Sequence, residues 1–161
     1  MATRPTPLTL PAFDPMCVTA QSRSNYPASF QALVRGRHRR ALGDAAGLNN
    51  FGVNLTRLEP GAASAQRHWH TLQDEFIYIL EGEATLVTEA GEQTLTTGMA
   101  AGFPAGLADG HHLVNRGAGD LLYLEVGDRT AGDEVDYPDI DLKRGLLDGK
   151  GRFVHDDGTP Y

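Results

Sequence analysis

His68-Trp69-His70-Thr71-Leu72-Gln73-Asp74-Glu75-Phe76-Ile77-Tyr78-Ile79-Leu80-Glu81-Gly82 is the stretch that decides how this chain reads. Phe76 to Leu80 is an unbroken aromatic and aliphatic run closed off by Gly82, which is strand composition. Arg67 to His70 reads as the strand before it. Successive side chains on a strand point to opposite faces, so His68 and His70 project from one side, about 7 Å apart. The four residues Thr71 to Asp74 are enough for a turn that returns the chain antiparallel and brings Glu75 to the same interior. Two imidazoles and a carboxylate then converge, and such a donor set suits a divalent transition metal.

The reading extends outward from there. Phe51, Val53 and Leu55 alternate with smaller or polar residues before the turn Glu59-Pro60-Gly61. Ala84 to Thr88 and Gln93 to Thr96 flank Glu89-Ala90-Gly91-Glu92, a hairpin-length connection. Further strands are expected over His111 to Asn115 and Leu121 to Val126. Short strands at this spacing predict an all-β sandwich or closed barrel. Four of the six histidines fall into two groups, His68 with His70 and His111 with His112. One member of the second pair supplies a fourth ligand, giving three nitrogens and one oxygen; composition alone leaves open which.

Taken together, Gly61, His68-Trp69-His70, Glu75 and Gly82 resemble the first motif of the cupin superfamily. Gly98, Pro104-Ala105-Gly106, His111 and Asn115 are similar to its second. Two loops exceed the usual pattern: six residues separate Gly61 from His68, and four separate Gly106 from His111. Loops absorb such insertions cheaply, at about 0.6 kcal/mol per doubling of length. The resemblance covers residues 46–128 and implies a double-stranded β-helix, a jelly-roll barrel with the metal inside. The three-residue spacing to Asn115 singles out His111, so the implied ligands are His68, His70, Glu75 and His111, around one divalent ion of Mn, Fe, Zn, Ni or Co. An octahedral ion so held keeps two positions for water, substrate or dioxygen.

The His68 to Gly82 stretch also resembles the cupin portions of phosphomannose isomerase-like proteins. That implies a metal-dependent protein acting on a small oxygenated metabolite, with a sugar-phosphate isomerase as the leading case. The same ligands would serve a metal-dependent dioxygenase, and a non-catalytic small-molecule-binding cupin is the third reading. No catalytic base is identified. Arg57 and Arg67 are the candidates for attracting a phosphate, and Trp69 should face away from the metal into packing.

The rest of the chain bounds these readings. At 161 residues there is room for one barrel, and 19 glycines and nine prolines favour short elements with tight turns. A net charge of −7 gives no overall attraction to nucleic acid or anionic lipid. The basic run Arg35-Gly36-Arg37-His38-Arg39-Arg40 is read as a solvated or salt-bridged segment. Cys17 is the single cysteine, so no intramolecular disulfide is required. Met1 to Pro11 lacks a signal-like apolar stretch, and Met99 to Ala108 is too short to span a bilayer, so a cytoplasmic location is expected.

Three regions are expected: an extended arm over 1–45, with five prolines in its first 27 residues, the barrel over 46–128 and an acidic C-terminal extension over 129–161. Ser29 to Leu42 is a short helix or an edge strand. Pairing of the arm with a neighbour's sheet edge would give a homodimer. Asp139-Ile140-Asp141 is not a calcium loop, because Lys143 and Arg144 stand where an oxygen ligand and a turn glycine belong.

Overall fold

A computed structural model describes residues 9–147 and 150–161 of the chain. Its strands are β1 (Arg37–Ala41), β2 (Phe51–Leu58), β3 (Trp69–His70), β4 (Glu75–Glu81), β5 (Glu83–Thr88) and β6 (Gly91–Thr96), followed by β7 (Ala100–Phe103), β8 (His112–Val114), β9 (Leu121–Asp128), β10 (Val135–Asp136), β11 (Lys143–Leu147) and β12 (Lys150–Val154). They form antiparallel sheets ordered β1-β2-β9-β4-β7, β6-β5-β8 and β12-β11-β10-β3. The one α-helix among the described residues, α1 (Leu42–Ala45), has four residues. None is long and apolar enough to cross a membrane.

Strand parity sets the layers. On β4, Ile77 and Ile79 are buried, whereas Phe76 and Tyr78 remain 45% and 40% exposed. Ile77, Ile79, Leu58, Leu121 and Tyr123 of the five-stranded sheet pack against Leu86, Leu95 and Leu113 of the three-stranded sheet. Each such side chain, fully buried, contributes roughly 1.5–3 kcal/mol. Two antiparallel sheets face to face around this core make the jelly roll.

The sequence leaves β1 open between helix and edge strand, and it does not show β7 or the strands β10, β11 and β12 of the C-terminal extension. Along the Ser29 to Leu42 segment, 3-10 turns at Ala28–Phe30 and Ala32–Val34 precede the edge strand β1, whose pairing with β2 runs from Arg37↔Leu58 to Ala41↔Asn54. β7 lies inside the uncharged run Met99 to Ala108, where alanine and glycine carry little strand propensity. Its pairing with β4, Ile77↔Ala101 among others, imposes the strand from outside.

The flanking regions pack on each other. Tyr26 and Val34 share a second core with Val135, Tyr137 and Leu142, with Phe30 and Phe153 packed against it. Residues 1–8 of the expected arm lie outside the described residues. Further along, Gln21 exchanges two backbone hydrogen bonds with Arg39, at 2.8 and 2.9 Å. The arm therefore meets its own sheet edge, whereas the homodimer expectation had it reach a neighbour's. After the barrel, β10 pairs with β3 at Val135↔His70 and Asp136↔Trp69, which brings the extension beside the histidines. Asp139 takes both Nε and Nη2 of Arg67 at 2.7 Å, and Asp141 takes His155 Nδ1 at 2.7 Å. Their carboxylates are thus occupied by side chains.

Candidate metal centre

The two histidine groups meet through the backbone. His68 and His111 form an antiparallel bridge, with His111 N–H donating to His68 O at 2.9 Å and His68 N–H to His111 O at 3.2 Å. Glu75 enters from the start of β4, on the inward face that also carries Ile77. Candidate ligand atoms of His68, His70 and Glu75 lie within 4.8 Å of one another. His111 stands outside that mutual distance, yet its Nε2 is 2.9 Å from Glu75 Oε2. The Nε2 atoms of His68 and His70 lie 3.4 and 3.5 Å from the same oxygen.

The far side of each ring explains this convergence. His68 Nδ1 contacts Gln66 O at 2.8 Å, His70 Nδ1 contacts Asp133 Oδ2 at 2.6 Å, and His111 Nδ1 contacts Asp109 O at 3.3 Å. In each case an outward acceptor suits an Nδ1 proton and turns Nε2 inward, where it can donate to Glu75 while protonated or offer its lone pair to a metal once that proton is lost. Phe103 stacks flat on His111, with centroids 3.6 Å apart at 2°, and holds that ring in place. Three oriented Nε2 atoms and a carboxylate around one point fit a divalent transition metal.

His112 follows the parity of a strand and turns away from the cluster, its Nδ1 3.0 Å from Ala65 O. Asn115 is 1% exposed and spends its amide on Leu58 O, Gly119 O and Gly117 N–H, a turn-closing role with no chemistry. Trp69 is half-buried.

Charge is balanced locally. Burial alone would favour a protonated Glu75, but hydrogen bonds from His111 and His68 hold its carboxyl well below the ordinary range. Burial likewise opposes a charged His68, and the Glu75 carboxylate outweighs it, raising that imidazole. A raised imidazole contributes stability that is full below its ordinary value of 6.5 and is lost as pH climbs through its folded value. A depressed carboxyl contributes stability present above its ordinary value of 4.5 and lost as pH falls through its folded value. The metal-free protein should therefore melt highest between these two ordinary values and lower as pH rises toward 8.5. Calorimetry of the stripped protein checks this, and a melting temperature that rises steadily from pH 6 to 8 would contradict it.

The cluster sits in the wall of a cavity of about 420 Å³, whose lining includes Tyr26, Arg37, Arg39, Tyr123, Glu125 and Tyr137. Neither arginine named from the sequence for phosphate is there. Arg57 pairs with Asp120 at 2.7 Å and Glu59 at 3.4 Å, and Arg67 is locked between Asp139 and Glu89. Their strand positions aim them at carboxylates outside the cavity. The basic run is salt-bridged at His38 and Arg39, and Arg37 departs from the expectation. His38 pairs with Glu59 at 2.8 Å, but Arg37 is 9% exposed and lies in the cavity wall. Period two within Arg37-His38-Arg39 could have signalled this, since a strand sends its first and third residues to one face.

Similarity to known proteins agrees with this geometry. A family model described as the cupin domain matches residues 54–127. The crystal structure of a sugar phosphate isomerase from the cupin superfamily of Silicibacter pomeroyi is 41% identical, with a TM-score of 0.89 over 94% of this chain and 96% of that one. A candidate sugar phosphate isomerase from Acidithiobacillus ferrooxidans is 33% identical, with a TM-score of 0.70 over 78% and 80%. The polyketide cyclase RemF of Streptomyces resistomycificus, 20% identical with a TM-score of 0.62 over 74% and 80%, shares the fold alone. No curated protein matches in sequence.

Proposed function

The chain belongs to the cupin superfamily, and on that premise we propose that it is a metal-dependent isomerase of small sugar phosphates, with His68, His70, Glu75 and His111 holding one divalent ion. The observation that carries the reading is the convergence of three imidazole Nε2 atoms on one Glu75 oxygen in the wall of a cavity of about 420 Å³. That volume is within the usual range for small-molecule sites. The 41% identity to a protein named as a sugar phosphate isomerase supports the substrate class.

When bound, the divalent ion supplies positive charge that stabilises negative charge developing on neighbouring substrate oxygens. Moving a proton between adjacent carbons needs a base outside the ligand set. Glu125 lines the cavity and is held by Asn54 Nδ2 at 3.0 Å, Tyr123 O–H at 3.2 Å and Arg39 at 2.6 Å. Its carboxylate takes the proton from the carbon beside the carbonyl and returns it to the carbonyl carbon, while the hydroxyl proton of the first carbon passes to the former carbonyl oxygen.

The test incubates the metal-loaded protein with aldose and ketose phosphates in deuterium oxide. Interconversion with deuterium entering at the carbon beside the carbonyl is the expected result. Glu125→Gln should slow it by about 10²–10⁴-fold at unchanged metal content. Full metal occupancy with no exchange in any phosphate of three to six carbons would sink the isomerase reading.

A further inference from the structure

Arg37 is a buried cation with no anion of its own. Its residue is 9% exposed, and among the described residues its guanidinium makes one hydrogen bond, from Nη1 to Ser64 O at 2.5 Å, and no ion pair. Of the other arginines of that wall, Arg129 pairs with Asp44, Arg144 is exposed, and Arg39 faces Glu125. Arg39 Nε lies 2.6 Å from Glu125 Oε1, a charge contact too oblique for a hydrogen bond, and Glu125 also accepts from Asn54 and Tyr123. Glu125 therefore gives Arg37 only a through-space attraction, and Arg37 has no ion-pair partner among the described residues.

A guanidinium cannot escape burial by losing its proton, as a lysine can. Burial, and then the neighbouring Arg39, pull its pKa down, yet it stays charged at any working pH. A buried charge without a partner is costly, so a site that keeps one is poised for an incoming anion. Arg37 opens into the same cavity as the histidine cluster, and its planar fork of donors matches phosphate geometry. Its position follows from β1: pairing with β2 at Arg37↔Leu58 turns residues 37 and 39 inward.

We propose that Arg37 is the anion subsite of the cavity, receiving the phosphoryl group of a substrate whose sugar oxygens reach the histidine–glutamate cluster. This rests on the substrate class proposed above, but its test does not need the metal. Inorganic phosphate should raise the melting temperature of the metal-free protein, and Arg37→Met should abolish that rise. Arg37→Met should fold, since an apolar side chain of similar length replaces an unpaired charge, and circular dichroism checks it. Arg37→Lys keeps the charge without the fork and should retain a weakened response, which covers the case in which the methionine variant does not fold.

In a second arm, the metal-loaded protein should bind ribose 5-phosphate about tenfold or more tightly than ribose, and the methionine variant should bind the two about equally. The proposal is overturned if phosphate fails to stabilise the metal-free protein, or if the methionine variant responds to it as the parent does. Dependence on Arg37 for gluconate but not for phosphate would overturn the phosphoryl assignment. Loss of metal binding with an intact phosphate response would instead count against the metal-dependent reading alone.

Discussion

Replacing His111 with alanine is expected to weaken transition-metal binding by about a hundredfold or more, whereas His112→Ala should change it by no more than a few-fold. Loss of a group that merely orients a ligand already costs about 10–100-fold, and His111 places its own Nε2 2.9 Å from Glu75 Oε2. Its ring is pinned between the stacked Phe103 face and Asp109 O, so little reorganisation is needed on binding. His112 is the adjacent residue with the same chemistry, but strand parity gives its Nδ1 to Ala65 O. Metal content by mass spectrometry, with affinity from competition against a chelator, separates the two variants. Equal losses in both, or the reverse order, would refute the assignment of the fourth ligand.

Gly82→Ala should cost about 3–5 kcal/mol of stability and lower the melting temperature by roughly 6–20 °C. Gly82 joins β4 to β5 at the point where the chain leaves the five-stranded sheet for the three-stranded one. Its φ is +83°, and an added Cβ would stand 2.7 Å from the backbone oxygen of Asp120 and 3.3 Å from Leu121 Cα. Both neighbours are main-chain atoms in and beside β9, which cannot rotate aside. Gly61 supplies the control: it has the same φ of +83° but open space around it. Gly61→Ala should therefore show only the left-handed backbone cost, about 1–2 kcal/mol. Thermal melts that place the two variants together would show that the contact with Asp120 is relieved without cost.

Both predictions concern residues that the sequence already singled out. The motif glycines, the HxH pair, Glu75 and the second histidine group are local patterns, and local patterns survive in a linear text. The run Phe76 to Leu80 marked β4 as a strand, and the period of two that any strand carries puts Ile77 and Ile79 inside with Phe76 and Tyr78 outside. β7 was not legible, since Ala100 to Phe103 becomes a strand only by hydrogen bonding to β4.

The chemistry of the cavity divides along the same line. Sequence by itself determined the all-β class, the cupin resemblance and the residues able to hold a metal, because each rests on residue type and short spacing. Only the tertiary structure decided that Arg37, from a run read as solvated or salt-bridged, is buried in the cavity wall, and that Arg57 and Arg67 are tied to carboxylates elsewhere. The same holds for Asp133, which lies 63 residues from His70 yet touches its Nδ1, and for Tyr26 and Tyr137, which bring the arm and the extension into one core. Contacts between segments so distant depend on how the sheets close, and no local period encodes that closure.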